Sequence, residues 1–127
     1  MKKVEYVKVA KRSMNKITHM KLEPELILHR KENFLMSSGK VIVVEIKLQK
    51  LTGINRPEYP EDYKINWIAF NKLVPHELVR IDNHHNKALH YHRNGHEEFI
   101  KWENLEKTWN LFYQKIMQRF GNFEKML

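Results

Sequence analysis

Five of the eight histidines, His84, His85, His90, His92 and His96, fall within thirteen residues. An imidazole with an unperturbed pKa of about 6.5 both takes and gives a proton near neutrality, so neighbouring rings can act as general base and general acid. Arg80 and Asp82 lie just before the cluster. If Glu77 to Asp82 and Ala88 to Arg93 pair as a hairpin, alternation puts Val79, Ile81, Leu89 and Tyr91 on one side. Arg80, Asp82, His90 and His92 then share the other, with His84 and His85 at the turn. The expected site is a solvent-facing patch that joins a cation, a carboxylate and several imidazoles.

Three readings compete for that patch. In the first, histidines move protons, Arg80 binds a phosphate bidentately and stabilises charge developing on it, and Asp82 orients a histidine through its ring N–H. This set suits a phosphodiester whose own 2′-hydroxyl is the nucleophile, and needs no metal and no cofactor. In the second, His90 and His92 point the same way from a strand at i and i+2 and hold zinc, manganese or iron with Asp82 or His84. No H-E-x-x-H motif supports it. In the third they are exposed polar residues on a wet sheet face, the reading preferred for the isolated His19, His29 and His76.

The elements that must position these residues are legible in part. Leu26-Ile27-Leu28 and Phe34-Leu35-Met36 meet the turn formers Ser37-Ser38-Gly39 before the β-branched run Val41 to Val44, which predicts a hairpin. Ile46 and Leu48 then alternate with Glu45, Lys47 and Gln49, as a strand with one wet face does. Gly53, Pro57 and Pro60 mark a long loop, and Tyr63 to Phe70 resumes a strand with Tyr63, Ile65, Trp67 and Ala69 on one face. Leu105, Trp109, Phe112, Ile116 and Phe120 recur at spacings of four, three, four and four, one stripe of a final helix with Asn104 as N-cap and Gly121 as C-cap. The predicted class is α+β: an antiparallel meander of four to five strands with a C-terminal amphipathic helix packed on one face.

Composition narrows the function classes. The chain of 127 residues has 23 Lys plus Arg against 15 Asp plus Glu, a formal charge of +8. No uncharged apolar run reaches the length of about 18 residues that a membrane span needs, so no membrane partner is expected. With no cysteine there is no disulfide, no thiol nucleophile and no Cys-ligated cluster. A basic start without an apolar signal region predicts a cytoplasmic protein. Residues 1–22 hold seven lysines and arginines against one glutamate, so +6 of the charge sits in a basic arm and the single domain spans residues 23–127. The arm reads equally as strand or helix. Lys8, Lys11 and Arg12 there, with Lys87 and Arg93, are candidate phosphate contacts to RNA, while a solvated tail explains the arm as well. Tyr59, Tyr63, Trp67 and Tyr91 could stack bases, although strand spacing favours packing.

The run Arg80-Ile81-Asp82-Asn83-His84-His85, followed by His90-Tyr91-His92, Gly95 and an amphipathic helix, resembles the TumE family of toxin-antitoxin toxins. The similarity covers about Glu25 to Phe120. It implies a growth-inhibiting toxin encoded beside a helix-turn-helix antitoxin that neutralises it by binding. RNA cleavage is the activity expected of such compact basic toxins. The working group would be Arg80, Asp82, His85, His90 and His92, with His84 in reserve. The Lys87-Ala88-Leu89 linker departs from the family pattern, and residues 1–22 have no counterpart in it. A rival class is a non-enzymatic module that binds RNA or a protein through the arm, and the sheet could also pair two copies of the chain.

Overall fold

The computed structural model describes residues 25–127 apart from 52, 54, 55, 84–86 and 94. The arm, with Lys8, Lys11 and Arg12, lies outside the described residues, as do His84 and His85. Strands β1 (Glu25–Met36), β2 (Val41–Lys50), β3 (Tyr63–Asn71), β4 (Leu78–Asp82), β5 (His90–Arg93) and β6 (His96–Phe99) form an antiparallel meander. Helix α1 (Leu105–Phe120) then crosses one face, and β7 (Phe123–Met126) pairs with β1 at the far edge.

The class is α+β, as alternation and helical periodicity predict, but the strand count needs correction. The sheet has seven strands in the order β6-β5-β4-β3-β2-β1-β7 rather than four to five, and the helix is not the last element. Both edge strands, β6 and β7, have four residues, too few for a period-two pattern to stand out. The dipeptide Asn94-Gly95 between β5 and β6 is the hairpin signal that marks the first of them. Gly95 has φ +80°, a conformation that costs glycine little.

The core lies between α1 and the sheet. Ile42, Val44, Ile46 and Leu48 of β2 are each at most 1% exposed, and Ile65, Trp67 and Ala69 of β3 share their side. From α1 the stripe Leu105, Trp109, Phe112, Ile116 and Phe120 enters the same cluster. The Trp109 ring stands edge-on to Trp67 with centroids 5.6 Å apart, and Phe112 tilts against Trp67 at 5.8 Å. Aromatic pairs at such separations add to the area they bury.

Local chemistry sets the ends of the helix. The Lys107 N–H donates to Asn104 Oδ1 at 2.8 Å, the expected N-cap. At the other end Gly121 has φ +85°, and a Cβ there would collide with Ser37 Oγ. Ser38 Oγ donates to the Phe120 carbonyl and the Ser37 N–H donates to the Asn122 carbonyl, both at 2.7 Å. The Ser37-Ser38-Gly39 turn therefore closes the first hairpin and anchors the helix end, which aims the chain into β7. No described helix is long and apolar enough to cross a membrane.

Candidate active site

The face of the sheet away from α1 carries the residues singled out above in two cross-strand rows. Asn66, Asp82, His90 and Phe99 stand opposite one another on β3 to β6, and Ile68, Arg80, His92 and Glu97 form the next row. The β4–β5 pairing thus brings Arg80, Asp82, His90 and His92 together, as alternation predicts. Directly opposed residues in an antiparallel pair have Cβ atoms about 5 Å apart, close enough for these side chains to meet.

They meet at Asp82. Its Oδ1 lies 2.8 Å from His90 Nε2 and 3.3 Å from His92 Nε2, and its Oδ2 lies 3.0 Å from Arg80 Nε. The two rings are inclined at 73° with centroids 4.3 Å apart. His90 Nδ1 is 2.7 Å from the Ala88 carbonyl. A carbonyl only accepts, so Nδ1 carries the proton and donates. Arg80 Nε also donates to Asn66 Oδ1 at 3.3 Å.

The expectation of a solvent-facing patch is corrected at two positions. Asp82 and His90 are each only 1% exposed, whereas the His92 and Arg80 side chains keep 28% and 36% of their surface. The cause is β6. It makes β5 an interior strand and sets Glu97 beside His92 and Phe99 beside His90, the Phe99 ring edge-on at 6.4 Å. His90 thereby presents almost no surface to solvent.

Glu97 is the residue that sequence reasoning missed. Its Oε1 lies 3.4 Å from His90 Nε2 and 3.7 Å from His92 Nε2. Lys87 Nζ donates to both Glu97 oxygens at 3.0 and 3.3 Å. That bonding is the main reason the Glu97 carboxyl sits below its ordinary range; partial burial opposes it, and the charges of Lys87, His90 and His92 assist. Lys87, a candidate RNA contact, is thus engaged within the cluster. Arg93, another, lies on the helix side with Tyr91, His96, Glu98 and Lys115 around a recess of about 360 Å³. His96 therefore stands apart from His90 and His92.

A second recess, of about 150 Å³, adjoins the cluster on its own face. Lys47, Gln49, Lys64, Ile65, Asn66 and Arg80 line it. Three cations here face the same opening, and two of them, Lys47 and Lys64, come from strands that the sequence separates from the histidines. Of the aromatics proposed to stack bases, Tyr63, Trp67 and Tyr91 are buried in the core under α1, so packing is their role. Burial and the nearby Glu61 charge push the Tyr63 hydroxyl up to about 12.

Asn83 supports the site from behind. It is wholly buried, accepts from the Ile65 N–H at 2.7 Å, and donates from Nδ2 to the carbonyls of Tyr63 and Glu58 at 2.8 and 2.9 Å. It therefore ties the end of β4 to the start of β3 and to the preceding loop. Asn83→Ala leaves buried backbone groups unsatisfied, each costing about 1 to 3 kcal/mol. A urea melt should show a loss in that range; a loss below about 0.5 kcal/mol, the size of an ordinary surface change, would contradict this role.

Comparison of the chain with protein-family models, curated proteins and solved structures returns no match.

Proposed function

We propose that the chain is a toxin that cleaves RNA, neutralised by a cognate helix-turn-helix antitoxin. One observation carries the reading: a recess lined by Lys47, Lys64 and Arg80 opens beside the partly exposed His92, whose neighbour across the strands is Arg80 itself. Three cations suit consecutive phosphates of a single strand, an attraction that is sequence-independent and weakens with salt. A guanidinium is also the group best shaped to hold a phosphoryl oxygen pair. The reacting phosphate then lies over Arg80 with His92 at its side. Asp82 and His90 position these two groups from the interior.

The test is incubation of the purified full-length chain with RNA, alongside His92→Ala and a Lys47→Ala/Lys64→Ala double variant. Loss of a group that moves protons in the transition state lowers the rate by about 10²- to 10⁴-fold. His92→Ala should fall in that range and relieve growth inhibition. The lysine pair should mainly raise KM and flatten the salt dependence. A folded His92→Ala protein that cleaves as the wild type does would overturn the assignment. Salt-sensitive RNA binding without cleavage by the wild type would favour the binding-module reading instead.

A further inference from the structure

The cluster brings carboxylate oxygens and imidazole nitrogens together. His90 spends its Nδ1 proton on the Ala88 carbonyl, so in its neutral form Nε2 presents a lone pair. That lone pair is directed into a space shared with Asp82 Oδ1 at 2.8 Å and Glu97 Oε1 at 3.4 Å. His92 brings its Nε2 to the same two oxygens, at 3.3 and 3.7 Å. With no proton on either Nε2, the imidazole nitrogens and carboxylate oxygens at such separations repel one another unless something positive lies among them.

From this arrangement we infer that Asp82, His90 and His92 form a binding site for one divalent transition-metal ion of the zinc class. One oxygen or nitrogen of each residue lies within 4.8 Å of the others. Ligand atoms about 2.0 to 2.1 Å from a tetrahedral ion stand about 3.3 to 3.4 Å from one another. The separations of 2.8, 3.3, 3.4 and 3.7 Å between the imidazole nitrogens and the two carboxylate oxygens bracket that value. Imidazole nitrogens select zinc, iron or nickel over magnesium and calcium.

The surroundings match what a bound ion requires. Ligating histidines donate their other ring N–H to a carbonyl or carboxylate, which fixes the tautomer and the ring; the His90 to Ala88 bond does this. Arg80 holds Asp82 Oδ2 and turns Oδ1 inward. Three ligands come from the paired strands β4 and β5, whose register sets their spacing. Glu97, on the short edge strand β6 with a side chain 39% exposed and shared with Lys87, stands outside that three-residue set as the outlying candidate for the fourth position. A water or a phosphate oxygen can displace such a ligand, and three protein ligands with one exchangeable position are the pattern of reactive rather than purely structural zinc sites. For the RNA-cleavage proposal, on which only this consequence rests, His92 would hold the ion in place of moving protons, and the ion would supply Lewis-acid chemistry at the phosphate beside Arg80.

The experiment uses the untagged full-length chain, stripped with a chelator and dialysed, then titrated with Zn²⁺ by calorimetry and with Co²⁺ by visible absorption. One equivalent should bind per chain, with the Co²⁺ bands of a tetrahedral or five-coordinate site. His92→Ala should weaken binding by more than tenfold. Glu97→Gln, which alters only an edge-strand side chain, should weaken it several-fold with the fold intact, and so provides a second arm if His92→Ala fails to fold. His96→Ala, on the other side of the sheet, should bind as the wild type does. Failure to take up an equivalent, or uptake undiminished in both cluster variants, overturns the site and leaves a hydrogen-bonded network of Asp82, His90 and His92. RNA cleavage is measured separately with and without chelator. Cleavage by a chain that binds no ion removes the metal and keeps the ribonuclease; an ion bound by a chain that cleaves nothing does the reverse.

Discussion

Replacing Asp82 with alanine should destabilise the protein by about 3 to 5 kcal/mol, the cost of removing one partner from a buried ion pair, and, on the function proposed above, abolish growth inhibition. The carboxylate is 1% exposed and joins Arg80, His90 and His92 at separations of 3.0, 2.8 and 3.3 Å. Without it His90, itself 1% exposed, has lost its 2.8 Å contact in a place water does not readily reach. Asp82→Asn keeps the volume and one oxygen while removing the charge. It should therefore retain more of the stability than Asp82→Ala and lose activity to a similar degree. Urea denaturation with both variants and a growth assay measure the two effects. A stable Asp82→Ala protein, within about 0.5 kcal/mol of wild type as surface changes are, would show that the cluster is not one coupled unit.

Trp109→Ala should cost about 3 to 5 kcal/mol, the range for truncating a large buried aromatic. Trp109 is 1% exposed and packs on Trp67 at 5.6 Å and on Phe112 at 5.8 Å. It is the contact through which α1 holds the middle of the sheet, and Trp67 would lose its edge-on partner as well. For a domain near 100 residues, each kcal/mol lowers Tm by about 4 to 8 °C, so the melting point should fall by more than 10 °C. Gln118, exposed on the opposite side of the same helix, should tolerate alanine within about 0.5 kcal/mol. Equal melting points for the two variants would mean that α1 is not what covers this face.

The two substitutions probe parts of the molecule that differ in how far the sequence reveals them. The helix stripe is a local pattern: five residues at helical spacing, an Asn before it and a Gly after it, which the structure reproduces from Leu105 to Phe120. The facing of Arg80, Asp82, His90 and His92 is nearly as local, since it needs only alternation and one hairpin. Their burial is different. It depends on β6, a polar four-residue strand whose Glu97 and Phe99 close over His90. The same dependence explains why Glu97 escaped notice, whereas Arg93, one residue after His92, points to the other side by strand alternation alone. Asn83 reads as a turn residue, yet its side chain is spent on backbone groups of Ile65, Tyr63 and Glu58, contacts that no short window contains.

The amino-acid order alone determined the α+β class, the helix with both its caps, the sides on which the strand residues lie, and the grouping of one guanidinium, one acid and two imidazoles. Each of these follows from neighbours within a few positions, where backbone geometry dictates direction. Tertiary structure alone decided that β7 closes the sheet against β1, that Lys47 and Lys64 share a recess with Arg80, and that Asp82 and His90 are buried while His92 stays accessible. Those outcomes depend on which distant segments pack together, and burial belongs to the assembled sheet and not to any single strand.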